Sequence, residues 1–169
     1  MINIPAFKEY EMSLDTVDKL VTYLDSLDLP NVSSSSPYHN NVDSYQSSNL
    51  LCVDDRINKI IDDVIADLNK DLGLKSTAFH AHYIKYADQG SVDWHTHDHS
   101  EELSLILYLT DAEGNTVISL NDKRGITLSV SPKKGKIILF SSVFNHIGLE
   151  SKNKKVFVIA IRLPEVIQV

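Results

Sequence analysis

Cysteine and long apolar segments are the scarcest features of this 169-residue sequence. The only cysteine, Cys52, has no partner for an intramolecular disulfide and cannot build a cysteine-rich zinc site. A single thiol fits the reducing cytosol. No run of about 18 apolar residues occurs, and the amino terminus has no basic segment followed by an apolar one. We therefore expect a soluble, unexported, cytoplasmic protein that does not enter membranes.

Positive charge is also scarce. The chain has 16 Lys and Arg against 23 Asp and Glu, which gives a formal net charge of -7. This balance argues against a main affinity for the phosphate backbone of nucleic acid, so a peptide, an amino acid or a metabolite is the expected partner. With 43% apolar residues the length suits a single domain over 1–169, with a helical part at 1–75 and a β-rich core at 76–165.

Two amphipathic helices are predicted in the first 75 residues. The first has Ser13 as its N-cap and apolar residues at helical spacing until Pro30. The second is capped by Asp54 or Asp55 and ends at Gly73, after a sustained apolar stripe. Such stripes are typical of helices that pack on a core.

Two further segments of this region are not helical by pattern. Residues 2–10 read as a short strand. Residues 31–50 are rich in Ser and Asn and lack periodicity, which predicts a long surface loop. Such a loop serves either as a lid over a site or as a plain connection, and the sequence leaves both open.

The second half of the chain has the two-residue periodicity of β-strands. Its segments are rich in β-branched and aromatic residues and are bounded by turn residues; they span 77–87, 92–98, 103–110, 115–120, 126–130, 136–141, 143–148 and 155–163. Eight strands after two helices predict a mainly β fold, a sandwich or jelly roll with the helices packed on one sheet.

Histidines at alternate positions are the clearest candidates for chemistry. Side chains two residues apart in a strand point to the same side, so His95 and His97 could bind one metal ion together. His80 and His82 form a second such pair, and a pair of this kind is often only a polar strand face. A third ligand must come from elsewhere in the chain, and His146 is the best placed.

An ordered series of segments surrounds these histidines. Tyr86 and Gly90 precede His95, the next strand ends at Tyr108, and a turn and a proline-glycine strand lead to His146: Glu113-Gly-Asn-Thr and Pro132-Lys-Lys-Gly-Lys-Ile-Ile-Leu-Phe. In this order the segments resemble the Fe(II)- and 2-oxoglutarate-dependent oxygenases, in particular the small prolyl-4-hydroxylase-like branch. The resemblance covers most of the chain and implies a double-stranded β-helix, the jelly roll of that family.

The resemblance implies an iron site. In the family a His-x-Asp or His-x-Glu pair and a distal histidine bind Fe(II) and leave open positions for the cosubstrate and O2. By position His95 is the first ligand and His146 the distal one, and His97 stands where the family has its carboxylate. Asp98 is the reserve for the second ligand.

The resemblance also implies a site for 2-oxoglutarate. The family places a cation nine or ten residues beyond the distal histidine, and Lys155 lies nine beyond His146, with Arg162 as its competitor on the other side of the same strand. Tyr108 matches a tyrosine that reaches the same carboxylate, and Tyr86 one that lines the pocket. The implied reaction hydroxylates an unidentified substrate and releases succinate and CO2. Without the histidines, Lys155 would read as a strand-end charge and both tyrosines as core aromatics.

Two other interpretations compete with the oxygenase. His95 and His97 followed by Glu101 have the spacing of a cupin metal motif, but cupins place the last histidine soon after their Pro-x-Gly turn, and here His146 lies eleven residues after Gly135. The other alternative is a non-catalytic jelly roll that binds a partner and whose histidines are incidental.

Overall fold

The computed structural model describes residues 7–32, 41–97, 103–121 and 125–163. Within them the chain forms two α-helices and nine β-strands, and a short 3-10 helix, Leu50–Cys52, precedes the second α-helix. The elements in chain order are β1 (Phe7–Glu11), α1 (Leu14–Ser26), β2 (Asn41–Gln46), α2 (Asp55–Leu72), β3 (Thr77–His95), β4 (Leu103–Tyr108), β5 (Thr116–Asn121), β6 (Ile126–Val130), β7 (Lys136–Ser141), β8 (Asn145–Ser151) and β9 (Lys155–Arg162).

Both helices begin where the sequence predicts, and α2 also ends as predicted, whereas α1 ends at Ser26, four residues before Pro30. The Ser13 hydroxyl accepts a hydrogen bond from the Thr16 amide at the start of α1. The Asp54 carboxylate accepts one from the Arg56 amide at the start of α2, and Gly73 ends α2 with a left-handed φ of 66°. No helix among the described residues has both the length and the apolar character needed to cross a bilayer.

The predicted loop over 31–50 is wrong in its second half. Residues 41–46 form β2, which pairs antiparallel with β3. Its sequence, Asn-Val-Asp-Ser-Tyr-Gln, has no alternation of apolar and polar residues and therefore does not predict a strand. The strand forms because backbone hydrogen bonds join it to its neighbour, and polar side chains do not prevent these bonds. Residues 33–40 lie outside the described part, and a role of the loop as a lid stays a prediction.

The nine strands form one curled sheet in the order β1-β7-β4-β9-β3-β8-β5-β6, with β2 also paired to β3. The predicted strands 77–87 and 92–98 are one strand, β3, whose first half pairs with β9 and whose second half pairs with β8. Between the halves Ala87–Gly90 bulge out opposite Asp43 of β2, and β3 thus connects the two halves of the sheet. The predicted jelly roll with helices on one side is confirmed.

The part of the sheet made of β1, β7, β4, β9 and the first half of β3 has two apolar faces. We call the side that packs against α1 and α2 the helix face; on β9 it carries Phe157, Ile159 and Ile161. We call the opposite side, which closes over β8 and β5, the barrel face. Its buried core members are Ile84, Tyr86, Val92, Ile106, Tyr108, Ile118, Val130, Ile138, Phe140 and Val156.

Candidate metal centre

Three histidines come together at the point where β3 and β8 pair. His95 lies directly opposite His146 in the strand register, and their ring centroids are 4.1 Å apart. His97 follows β3 and is held by a hydrogen bond from its backbone amide to the Ser142 carbonyl. One side-chain nitrogen from each histidine lies within 4.8 Å of the others. The structure thus places the three predicted ligands in one cluster.

The spacing of these nitrogens suits one ion. The Nε2 atoms of His97 and His146 are 3.2 Å apart. Two nitrogens each about 2.1 Å from a first-row metal ion have this separation when they subtend an angle of about 100° at the metal. The three rings can therefore occupy neighbouring positions around one ion and leave its other side open.

Backbone carbonyls set the tautomers of two of the rings. Nδ1 of His95 lies 2.8 Å from the Asp93 carbonyl, and Nδ1 of His146 lies 3.0 Å from the Phe144 carbonyl. Because a carbonyl oxygen only accepts, each Nδ1 carries the proton and the lone pair lies on Nε2, as in metal-binding histidines generally. Burial lowers the pKa of His95, although the contact with Asp93 opposes that change, so the ring is in its neutral, ligating form at neutral pH.

The donor set determines the charge of the centre once a metal ion is bound. Three neutral imidazoles would leave both positive charges of a divalent ion uncompensated, so an anionic ligand would gain more here than at a site with a carboxylate ligand. The reserve ligand Asp98 and the Glu101 of the cupin alternative lie outside the described residues. Phe140 borders the cluster, with its ring centroid 4.9 Å from that of His146.

Tyr86 and Tyr108 meet deeper in the barrel. The Tyr108 hydroxyl donates to Thr116 Oγ1 at 2.7 Å, and Thr116 is the register partner of Gly148. A Cβ at Gly148 would lie 2.5 Å from the Tyr86 hydroxyl, so only glycine permits this approach. Burial raises the pKa of both phenols, which keeps them protonated as hydrogen-bond donors. Both tyrosines therefore lie beside the Gly148 level of β8, two residues beyond His146 on the same strand.

Lys155 does not join this group. It belongs to the helix face, where its ammonium lies 2.5 Å from a carboxylate oxygen of Asp25 in α1. Tyr83 donates to the same carboxylate at 2.7 Å. Burial alone would raise the pKa of Asp25, but the hydrogen bonds from Lys155 and Tyr83 lower it. The structure thus places Lys155 on the other side of the sheet from Tyr86 and Tyr108.

The cation beside the tyrosines is Lys154, which the sequence analysis missed. Its side chain is 1% exposed, and its ammonium lies 4.7 Å from the ring centroid of Tyr86 and 6.0 Å from that of Tyr108. It donates to the Gly114 carbonyl at 2.9 Å, and in the described part of the chain it forms no ion pair. Burial lowers the pKa of Lys154 to about 8. Lys154 lies eight residues beyond His146, one short of the spacing that selects Lys155. Because both faces of β9 are apolar, no pattern in the sequence shows which of the two lysines is on the barrel side.

Arg162, the competitor named from the sequence, lies at the far end of β9. Its guanidinium stacks on the ring of Phe79, 4.8 Å from the centroid. It is six residues beyond Val156, the register partner of Tyr108, and so does not approach the two tyrosines.

Solved structures with the same fold extend over nearly the whole chain. A prolyl-4-hydroxylase from Pseudomonas putida matches with a TM-score of 0.67 at 17% identity, covering 95% of this chain and 94% of that one. A 2OG-Fe(II) oxygenase family oxidoreductase from Burkholderia pseudomallei matches with a TM-score of 0.75 at 11% identity, covering 92% and 84%. HygX from Streptomyces hygroscopicus, solved with nickel and 2-oxoglutarate bound, matches with a TM-score of 0.70 at 10% identity, covering 92% and 82%.

Likeness in sequence is much weaker than likeness in fold. No protein-family model matches the chain, and no curated protein sequence matches it. Structural likeness at 10% to 17% identity establishes architecture and leaves activity to be argued from the site. At the level of architecture the resemblance seen in the sequence is confirmed: this chain has the fold of the Fe(II)- and 2-oxoglutarate-dependent oxygenases and is similar to their prolyl-4-hydroxylase-like branch.

Proposed function

We propose that this protein is an Fe(II)- and 2-oxoglutarate-dependent dioxygenase that hydroxylates a C–H bond of a substrate and releases succinate and CO2. The observation that carries the proposal is a pair of features inside one barrel. Three histidines converge at one level, and a buried lysine that forms no ion pair with the described residues lies deeper, between two phenols. A metal ion fits the first feature and a carboxylate fits the second.

In this proposal His95, His97 and His146 hold the iron. Lys154 takes the distal carboxylate of 2-oxoglutarate, the role that the sequence predicts for Lys155. Tyr86 donates its hydroxyl proton to the same carboxylate, and Tyr108 does so when its hydroxyl turns away from Thr116 Oγ1. Gly148, beside the tyrosines, lies two residues beyond His146 on β8, a rise of about 7 Å along a strand. This separation suits a short dicarboxylate that reaches from the metal to the ammonium.

The charge of Lys154 is the strongest argument for an anionic ligand. An ammonium buried without a counter-charge is unfavourable, as its lowered pKa shows. A carboxylate beside it would supply that counter-charge and restore the pKa. At pH 7 most of the free protein still carries the proton on Lys154, so the site is ready to bind an anion.

The bound iron would supply the redox chemistry, which reduces O2 at the expense of 2-oxoglutarate and the substrate C–H bond. The chain supplies orientation and a dry environment. Between the levels of the metal and of Lys154 the barrel face carries Val158, Ile106 and Ile138, which are register neighbours on β9, β4 and β7. This apolar row lies beside the space for the methylene groups of 2-oxoglutarate and keeps water from it.

Anaerobic titration with Fe(II), followed by 2-oxoglutarate, tests the proposal. We expect one iron per chain, a visible charge-transfer band when 2-oxoglutarate is added, and succinate once O2 is admitted. His146→Ala should lose iron binding, whereas His80→Ala, a histidine of the other alternating pair, should retain it. Absence of iron binding in the wild type, or its retention in His146→Ala, would contradict the metal site.

The same titration separates the alternatives. A protein that binds iron but forms no succinate from 2-oxoglutarate would favour the cupin interpretation. A protein that binds no metal at all would favour the non-catalytic jelly roll.

A further inference from the structure

The barrel face of β9 carries cations at both ends. Val156 belongs to the barrel core, and strand alternation then places Val158, Ala160 and Arg162 on the same side. Lys154 lies just before the strand, at the end that holds the two phenols. Arg162 therefore marks the opposite end of the barrel, and the proposed function leaves it without a role.

The strand register gives the position of the histidine cluster along β9. Phe140, which contacts His146, is paired with Ser104, Ser104 with Ala160, and Ala160 with His80. Ala160 is thus at the level of the histidine cluster. Arg162 lies one step further out on the same face, about 7 Å along the strand.

The contacts of Arg162 leave its guanidinium able to bind an anion. Its guanidinium stacks on Phe79, whose ring centroid lies 5.5 Å from that of His80. Among the described residues six lysines pair with aspartates: Lys8, Lys19, Lys59, Lys134, Lys152 and Lys155. Arg162 is exposed and pairs with no acid among the described residues, although the protein is acidic overall. A stacked guanidinium keeps its N–H edge for bidentate binding of a carboxylate or a phosphate.

Small side chains leave room between Arg162 and the metal. Ala160 and Ser104 occupy the middle of the row that contacts the histidine cluster. The Ser104 hydroxyl is buried and finds no hydrogen-bond partner in the described ranges. Such a group is costly unless a ligand satisfies it, so it indicates that a polar part of a substrate lies here.

We propose that the prime substrate is a small molecule or short peptide with a carboxylate or phosphate group, which Arg162 binds while a carbon a few bonds away faces the metal. This inference rests on the proposed function and names its substrate class. Arg162 at the open end and Lys154 at the closed end then bind different anions, the substrate and the cosubstrate.

The test measures succinate formed from 2-oxoglutarate by the iron-loaded full-length protein. The probes are carboxylic acids with their amides, phosphate esters with their parent alcohols, and a small-molecule cell extract separated by anion exchange. We expect succinate formation to be stimulated by the extract fraction that the anion exchanger retains. We also expect stimulation by carboxylic acids or by phosphate esters, but not by the amides or the parent alcohols. The set that stimulates identifies the anion as a carboxylate or a phosphate. For a stimulating compound, Arg162→Gln should raise KM at least tenfold with little change in kcat, and Arg162→Lys should recover part of the loss.

Arg56→Gln is the matched control, because Arg56 also stacks on a ring, that of Tyr23, but lies at the start of α2. It should leave KM unchanged. Stimulation by neutral compounds, stimulation by none of the probes, or an unchanged KM in Arg162→Gln would overturn the inference. Iron binding and the 2-oxoglutarate band are measured on the same samples. If both are present, only the substrate assignment fails, and if both are absent the proposed function fails with it.

Discussion

Lys154 and Lys155 are neighbours in the sequence but lie on opposite faces of the sheet. Lys155, on the helix face, meets the carboxylate of Asp25, which Tyr83 also contacts. Lys154, on the barrel side, meets the rings of Tyr86 and Tyr108 and one backbone carbonyl, and among the described residues no acid pairs with it. Within the described ranges, one charge is compensated and the other is not.

The difference separates a structural charge from a ligand-binding one. The ion pair of Lys155 attaches α1 to the sheet and needs nothing further. Lys154 is destabilising in the free protein: its pKa falls from 10.5 to about 8, which corresponds to roughly 3 kcal/mol at 1.36 kcal/mol per pH unit. A fold that keeps such a group buried gains from it only when an anion binds.

The largest expected effect is on 2-oxoglutarate binding, after a substitution of Lys154. Lys154→Met removes the cation but keeps much of the side-chain volume, so it should weaken 2-oxoglutarate binding about 100-fold, the scale expected when one partner of a buried charged pair is lost. Iron binding should persist, because the histidines are untouched. Isothermal titration of the metal-loaded protein under anaerobic conditions measures both affinities.

Lys155→Met is the control for that experiment. It removes the same charge one residue away, on the helix face, and should leave the affinity for 2-oxoglutarate within about twofold, since screened charges on opposite sides of a sheet interact weakly. An inverted result, with loss of affinity in Lys155→Met and none in Lys154→Met, would return the role to Lys155 as the sequence analysis expected.

A second prediction uses the pKa of Lys154. The protonated form binds the carboxylate, and the free protein loses this proton as the pH rises through about 8. The apparent dissociation constant of 2-oxoglutarate should therefore be nearly flat below pH 7 and rise by about tenfold between pH 7 and pH 9. Affinity measured across this range gives the titration directly.

Lys154→Arg sharpens the pH experiment, because a guanidinium stays protonated throughout the range. Its pH profile should be flat up to pH 9, whatever its absolute affinity. If the variant showed the same rise as the wild type, the titrating group would be one other than Lys154.

These residues show which parts of the candidate site can be predicted from the sequence. His95 and His97 could be named in advance from their two-residue spacing, although β3 ends at His95 and the Ser142 carbonyl holds the His97 amide. His146 could be named because the ordered series of turns implied the fold that brings β8 to β3. Lys154 could not be named in advance. A spacing rule that is in error by one residue selects the opposite face of a strand, and both faces of β9 are apolar. The polar strand β2 was hidden for a related reason, because its pairing depends on backbone groups of β3.

The smallest expected effect concerns stability without ligands. Lys154→Met should stabilise the metal-free protein by about 1 kcal/mol, since removal of an uncompensated buried charge outweighs the loss of one hydrogen bond. Lys155→Met should destabilise it by at most about 1 kcal/mol, because its ion pair with Asp25 is partly exposed and screened by solvent. Thermal unfolding should show shifts of a few degrees in opposite directions.

The pH dependence of stability should separate these two variants further. The unfolded chain holds the proton on Lys154 up to about pH 10.4, whereas the folded protein releases it near pH 8. Between these values the unfolded state binds more protons, so the wild type gains stability as the pH rises through this window. Lys154→Met lacks that gain, and its advantage over the wild type should shrink from pH 7 to pH 10, while the difference for Lys155→Met stays nearly constant. A constant advantage for Lys154→Met would mean that Lys154 keeps its proton in the folded protein up to about pH 10, so that its pKa is not lowered by burial and its charge is compensated within the barrel.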